Sequence, residues 1–189
     1  EGAVVTLTAN NAGNAAAAMS NLDITARTSA ALNAPTGAIT NSSVSSATTA
    51  TLTAAAVIDT SVTAGGNVTF AGTTASGLSN LTVTTAGDIL GTDVTGNIVG
   101  GSYVGKDITF DKAALIASAA FDSSNEITLS ATGKIELVDV KAHHKATLTS
   151  TGSNIEAATV VVGHGDATLT ADSGAILGSD VTARYNATL

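Results

Sequence analysis

Short stretches of the chain alternate apolar and polar residues, and the alternation restarts about every 20 residues, the mark of an internal repeat. At 127–130, Ile127 and Leu129 are apolar while Thr128 and Ser130 are polar. A period of two puts neighbours on opposite faces of a strand and excludes a helix. Ten apolar-Thr-apolar triplets align the units, centred on Thr6, Thr25, Thr51, Thr69, Thr82, Thr109, Thr128, Thr147, Thr168 and Thr188. Most successive centres stand close to one repeat apart. The short step from Thr69 to Thr82 and the long one from Thr82 to Thr109 together make two ordinary units with a slipped boundary.

Neighbouring columns repeat as well. Two residues before the threonine stand Val4, Asp23, Thr49, Asn67, Asn80, Asp107, Glu126, Lys145, Asp166 and Asn186, nearly all polar. Such residues suit a turn just before a strand. A second apolar anchor follows at Ile58, Ile89, Ile135, Ile155 and Ile176, and a third at Val62, Val94, Val140, Val160 and Val181. Glycine often precedes the second anchor, as at Gly87, Gly133, Gly152 and Gly174. Each unit thus holds three short strands. Three strands per coil, stacked coil on coil, make an all-β fold: a single-stranded parallel β-helix, or β-solenoid. Nine to ten coils are expected, forming a rod on the order of 45 Å long with rungs ~4.8 Å apart. Phe70, Phe110 and Phe121 are the expected large core fillers, and Ala50, Ala146, Ala167 and Ala187 narrow one wall. Residues 10–20 and 33–46 read as irregular, with a short helical turn at 15–18. One domain covers residues 1–189.

Composition narrows what such a rod does. Ala (36), Thr (31), Gly (19) and Ser (18) supply over half of the 189 residues. With no cysteine, a disulfide scaffold and a thiolate metal site are excluded. Seven Lys and Arg against 15 Asp and Glu give a net charge of −8, which argues against nucleic acid and anionic membranes as partners. At 44% hydrophobic and 12% charged, the chain is too apolar for a disordered acidic tail. No apolar run is long enough for helical membrane insertion. The opening residues 1–5 lack the basic segment of a signal peptide. Nucleophile-elbow, P-loop and dinucleotide motifs are missing, and no cofactor is expected.

The units EITLSATGKIELVDVKAHH (126–144), KATLTSTGSNIEAATVVVGHG (145–165) and DATLTADSGAILGSDVTARY (166–185) share the pattern TLTxxxGxI…V. They resemble the repeats of filamentous-haemagglutinin-like large exoproteins, well over the C-terminal part of the chain and loosely elsewhere. That resemblance implies a right-handed parallel β-helix outside a bacterial cell, with a stalk role in adhesion or aggregation. The secretion domain of such exoproteins carries Asn-Pro motifs. Here the only proline is Pro35, after Ala34, so an internal segment or a differently exported relative is expected. Neither end carries a capping sequence. Open coils offer unpaired backbone groups, so further coils of the same chain, or of identical chains, are the expected partners. A receptor on a host or neighbouring cell is the other partner that the resemblance implies.

Candidate chemistry is sparse. Glu136 and Glu156 each follow a second-anchor isoleucine and should stack, as a cation site, as a glycosidase-like pair, or as two solvated acids eased by Lys134. His143 and His164 should stack, with Arg184 in their column, and read first as exposed turn residues; as a metal site they would need a third ligand, for which only Asp166 is in view. The string Gly163-His164-Gly165-Asp166 is similar to a calcium-binding nonapeptide, but occurs once and out of frame. Glu126, Lys145 and Asp166 alternate in sign along one column. The most regular surface feature is a threonine ladder: Thr6/Thr8, Thr51/Thr53, Thr82/Thr84, Thr128, Thr147/Thr149 and Thr168/Thr170, interrupted by Ala71, Asp111 and Arg27. Asn-x-Ser/Thr sequons stand at Asn41, Asn67, Asn80 and Asn186.

These features lead to an extracellular structural rod, a stalk segment or filament-forming subunit of a surface adhesin, and not an enzyme. The alternative is a binding module for ice or glycan that uses the threonine face. A polysaccharide-active enzyme ranks third, because it needs an acid-base groove with aromatic platforms.

Overall fold

The computed structural model describes residues 2–9, 18–72 and 77–189. Its strands join one continuous sheet, each running parallel to its equivalent in the next coil. Among the described residues there is no helix. The architecture is a β-solenoid of about eight turns some 20 residues apart, slightly fewer than the nine to ten coils expected. Three strands build each coil, as at Glu126–Ala131, Ile135–Glu136 and Asp139–Ala142.

Each face carries one central inward column. On the first face it runs Leu7, Leu32, Leu52, Phe70, then Phe110, Leu129, Leu148 and Leu169. On the second it runs Met19, Ile39, Val57, Leu78, Ile98, Ile116, Ile135, Ile155 and Ile176. On the third it runs Ile24, Val44, Val62, Val83, Tyr103, Phe121, Val140, Val160 and Val181. These columns fuse into one apolar core, in which most members are fully buried. Burying one such side chain stabilises by roughly 1.5–3 kcal/mol. The expected alanine wall forms from Ala50, Ala146 and Ala167, while Ala187 lies exposed in the last coil.

The register corrects several expected anchors. Ala31, and not Thr25, pairs with Thr6 and Thr51; Leu90, and not Thr82, pairs with Thr69 and Thr109. Thr25 and Thr82 both belong to the third face. The spacing along the first face then becomes nearly even, stepping from Thr51 to Thr69, Leu90 and Thr109. Val57 is the inward anchor beside Ile58, Ile89 belongs to the first face, and Val94 is buried in the 91–96 corner. The 33–46 segment is not irregular. It completes the strand Asp23–Thr40, which runs across all three faces, and supplies Ser43–Ser46. Residues 10–17, which hold most of the alanine run at 15–18, lie outside the described residues; Met19–Ser20 is a strand.

Bulk concentrates at mid-rod. Phe70, Tyr103, Phe110 and Phe121 are all buried, with Tyr103 and Phe121 stacked 5.0 Å apart and Tyr103 edge-on to Phe110 at 5.5 Å. Gly91 takes the inward position between Phe70 and Phe110, and a Cβ there would overlap the Phe110 ring. The missing side chain makes room for its neighbour's, as close packing demands.

The corner between the second and third faces has a fixed backbone signature. Asn21, Asn41, Asp59, Asn80, Ser118, Leu137 and Ala157 have φ of 48° to 55°, and Gly100 and Gly178 fill the same corner with φ of 69° and 56°. Asn, Asp and Gly suit this left-handed conformation; Leu137 and Ala157 do not.

Candidate functional site

The densest polar grouping lies at the corner between the third and first faces, in the last coils. His143 and His144 follow the strand Asp139–Ala142, and His164 follows Thr159–Val162 one coil later. The backbone N–H of His164 donates to the carbonyl of His143 at 2.7 Å, which fixes the two coils against each other. The His143 and His164 rings lie 4.6 Å apart, so the expected stack forms. His144 joins them with its ring centroid 4.3 Å from that of His143. Arg184 places Nη1 2.9 Å from Nδ1 of His164, in the expected column. Burial, then the neighbouring His144 and His164, hold the His143 imidazole below the ordinary histidine range.

Asp166 does not face this cluster. Its Oδ1 accepts from the backbone N–H and the side-chain amide of Asn186, at 3.0 and 2.9 Å. Among the described residues, no group of three or more His, Cys, Asp or Glu side chains is arranged to hold a metal ion. Glu126, Lys145 and Asp166 are register neighbours as expected.

The carboxylates Glu136 and Glu156 stack on adjacent coils. Lys134 bridges them, 3.3 Å from Glu136 and 3.1 Å from Glu156. The amide of Asn154 donates to Glu156 at 2.8 Å. That bond, with Lys134, holds the Glu156 carboxyl below the usual glutamate range. A general acid needs the opposite shift. The arrangement is a surface ion-pair triad in which one lysine serves two carboxylates.

The threonine ladder divides between two faces. Thr128, Thr147, Thr168 and Thr188 stack on the first face, beside Ser130, Thr149 and Thr170. Thr51 and Thr53 continue this face earlier in the chain, with Ala31 and Asn33 between them and Thr6 and Thr8. Ala71 interrupts it as expected, and Asp111 lies where the register shifts; Arg27 lies off the ladder, at the corner after the third-face residue Ala26. Thr82 and Thr84 belong to the third face, stacked on Ser61 and Thr63. Together with Ser43 and Ser45 they form an exposed two-column hydroxyl patch that triplet alignment missed. Grouping the chain by its left-handed corner residues, which recur at nearly even steps from Asn21 to Asn80, separates the faces correctly.

The sequons fall in two structural columns. Asn41 and Asn80 occupy the left-handed corner, and Asn67 and Asn186 precede first-face strands, so Asn80 leaves the column assigned to it by triplet alignment. Asn80 donates to Asp59 at 3.1 Å, and the Asn67 side-chain oxygen accepts from the Asp88 N–H at 3.0 Å.

The last coil is uncovered. Leu169, Thr170, Ala171, Gly174, Ile176 and Leu189 are among the residues lining an open hollow of about 640 Å³. Leu189 is 71% exposed and Leu177 48%.

No family model matches the chain, and searches of curated proteins and of solved structures give no match to it.

Proposed function

We propose that the chain is a structural rod, a stalk segment or filament-forming subunit whose coils continue into further coils stacked on its ends. The observation that carries this reading is the uniform stacking: each coil pairs in parallel with the next, and one apolar core runs through them. A parallel strand edge over an apolar floor is a template for another coil. The remaining surface is rich in hydroxyls, which suits a passive scaffold. On the resemblance of the repeats in 126–185 to large exoproteins, the rod belongs to an adhesin displayed outside a bacterial cell. The downward shift of Glu156 and the burial of four of the five aromatics support a non-enzymatic role.

Sedimentation velocity over a concentration series tests this. Wild-type chain is expected to grow by linear addition, and Val181→Lys on the uncovered coil to remain monomeric. Equal behaviour of the two, with the variant still folded by circular dichroism, would refute the stacking role.

A second reading has its own observation. Ser43/Ser45, Ser61/Thr63 and Thr82/Thr84 offer successive rungs of exposed hydroxyls with no charge among them. Such a plane fits a repetitive polar ligand, ice or a glycan. Inhibition of ice recrystallisation, or glycan retention, that is lost in Thr63→Lys would favour it over the scaffold.

A further inference from the structure

We propose that the corner holding His143 and His144 binds a divalent transition-metal ion through two imidazoles, copper more tightly than zinc. Nδ1 of His143 lies 3.3 Å from each ring nitrogen of His144. Two nitrogens bound to one tetrahedral ion at ~2.0–2.1 Å stand about 3.3 Å apart, so the pair already has the right span. The rings meet edge to face, and both side chains are exposed.

The outer contact fits the same role. Nδ1 of His144 lies 2.9 Å from Oδ1 of Asn125, one coil earlier. An amide oxygen only accepts, so it holds the imidazole proton on Nδ1 and leaves Nε2 as the free lone pair. Metal-bound histidines characteristically donate their second N–H in this way.

His164 sets the limit of the site. Its Nδ1 accepts from Arg184, which puts its own proton on Nε2 and a fixed positive charge beside it. In that tautomer it cannot be the third ligand. Asp166 is bound to Asn186 and points elsewhere. Lys145, next in sequence to His144, sits between Glu126 and Asp166 in the register. The protein thus supplies two nitrogens, and water completes the shell. For such a site the order of divalent-ion affinities places copper first.

The test is calorimetric titration of the tag-free full chain with Cu²⁺ and with Zn²⁺ at pH 7.5. One saturable copper site is expected, tighter than that for zinc, with electron paramagnetic resonance showing two nitrogen donors. His143→Ala and His144→Ala should each abolish it, while His164→Ala leaves it unchanged. Asn125→Ala removes a positioning residue and should weaken binding about 10–100-fold. Arg184→Gln should strengthen it, because the glutamine oxygen accepts the Nδ1 proton of His164 and frees Nε2 as a third donor. Circular dichroism verifies that each variant folds. No saturable copper binding to the wild-type chain, or binding that survives in the His143→Ala/His144→Ala double variant, overturns the proposal. Loss of binding in His164→Ala overturns the two-imidazole assignment.

Discussion

At Leu137 the chain holds a branched side chain at φ 52°, 62% exposed, in a corner where most other coils use Asn, Asp or Gly. A left-handed backbone costs an ordinary residue roughly 1–2 kcal/mol. Leu137→Asn is therefore expected to stabilise the chain by about 1 kcal/mol in chemical denaturation, since asparagine tolerates that conformation. Tyr103 is the converse case. Its ring packs against Phe110 and Phe121, but its hydroxyl is buried without a partner, and burial pushes the phenol far above its usual range. Tyr103→Phe removes the unpaired group and keeps the ring, so stability should hold or rise; a loss above about 1 kcal/mol would reveal a hydrogen bond to that hydroxyl. The imidazole cluster gives a pH dependence. His143 binds a proton less readily in the folded chain than in the unfolded one. Its stabilising contribution is complete above the ordinary histidine value, about 6.5, and is lost as pH falls through that value toward the lower folded one. The melting midpoint should fall between pH 7 and pH 5, and fall less in His143→Asn.

At the scale of the element, a strand here is defined by its neighbour one coil away. Ser150 shows how corners are held: fully buried, its hydroxyl meets the carbonyls of Gly133 at 2.7 Å and Ser153 at 2.9 Å. Ser150→Ala removes the one O–H that these two half-buried carbonyls share and should cost roughly 0.5–1.5 kcal/mol. Gly91 works by absence, and Gly91→Leu should destabilise strongly by forcing Phe110 out of its place. Much of this level was legible in the sequence. Period-two alternation and the repeat length give three parallel strands per coil. The first and third faces were harder to tell apart, because both carry apolar residues beside outward hydroxyls. Thr25 and Thr82 therefore passed as first-face residues, although Ala31 and Leu90 hold those positions. The His143–His164 stack and the Glu136–Glu156 pair were legible because both recur at the repeat length. His144, Asn125 and the bridging geometry of Lys134 were not, since side-chain direction at a corner depends on local backbone turns.

For the whole molecule, length is the property the fold adds most simply. Each coil contributes about 4.8 Å and presents the next with a paired edge and an apolar floor. The floor runs on through Ile176 and Val181, which pack against the core. The aromatic cluster fills the middle, the hydroxyl faces keep the outside wettable, and no described helix is long and apolar enough to cross a membrane. Electron microscopy of the purified chain over a concentration series addresses the central claim, that this is a rod extended by stacking coils. The account predicts unbranched filaments one solenoid wide, with a ~4.8 Å axial repeat continuous through the junctions between chains. Particles that stay single at every concentration, or that join side by side through their faces, would contradict it.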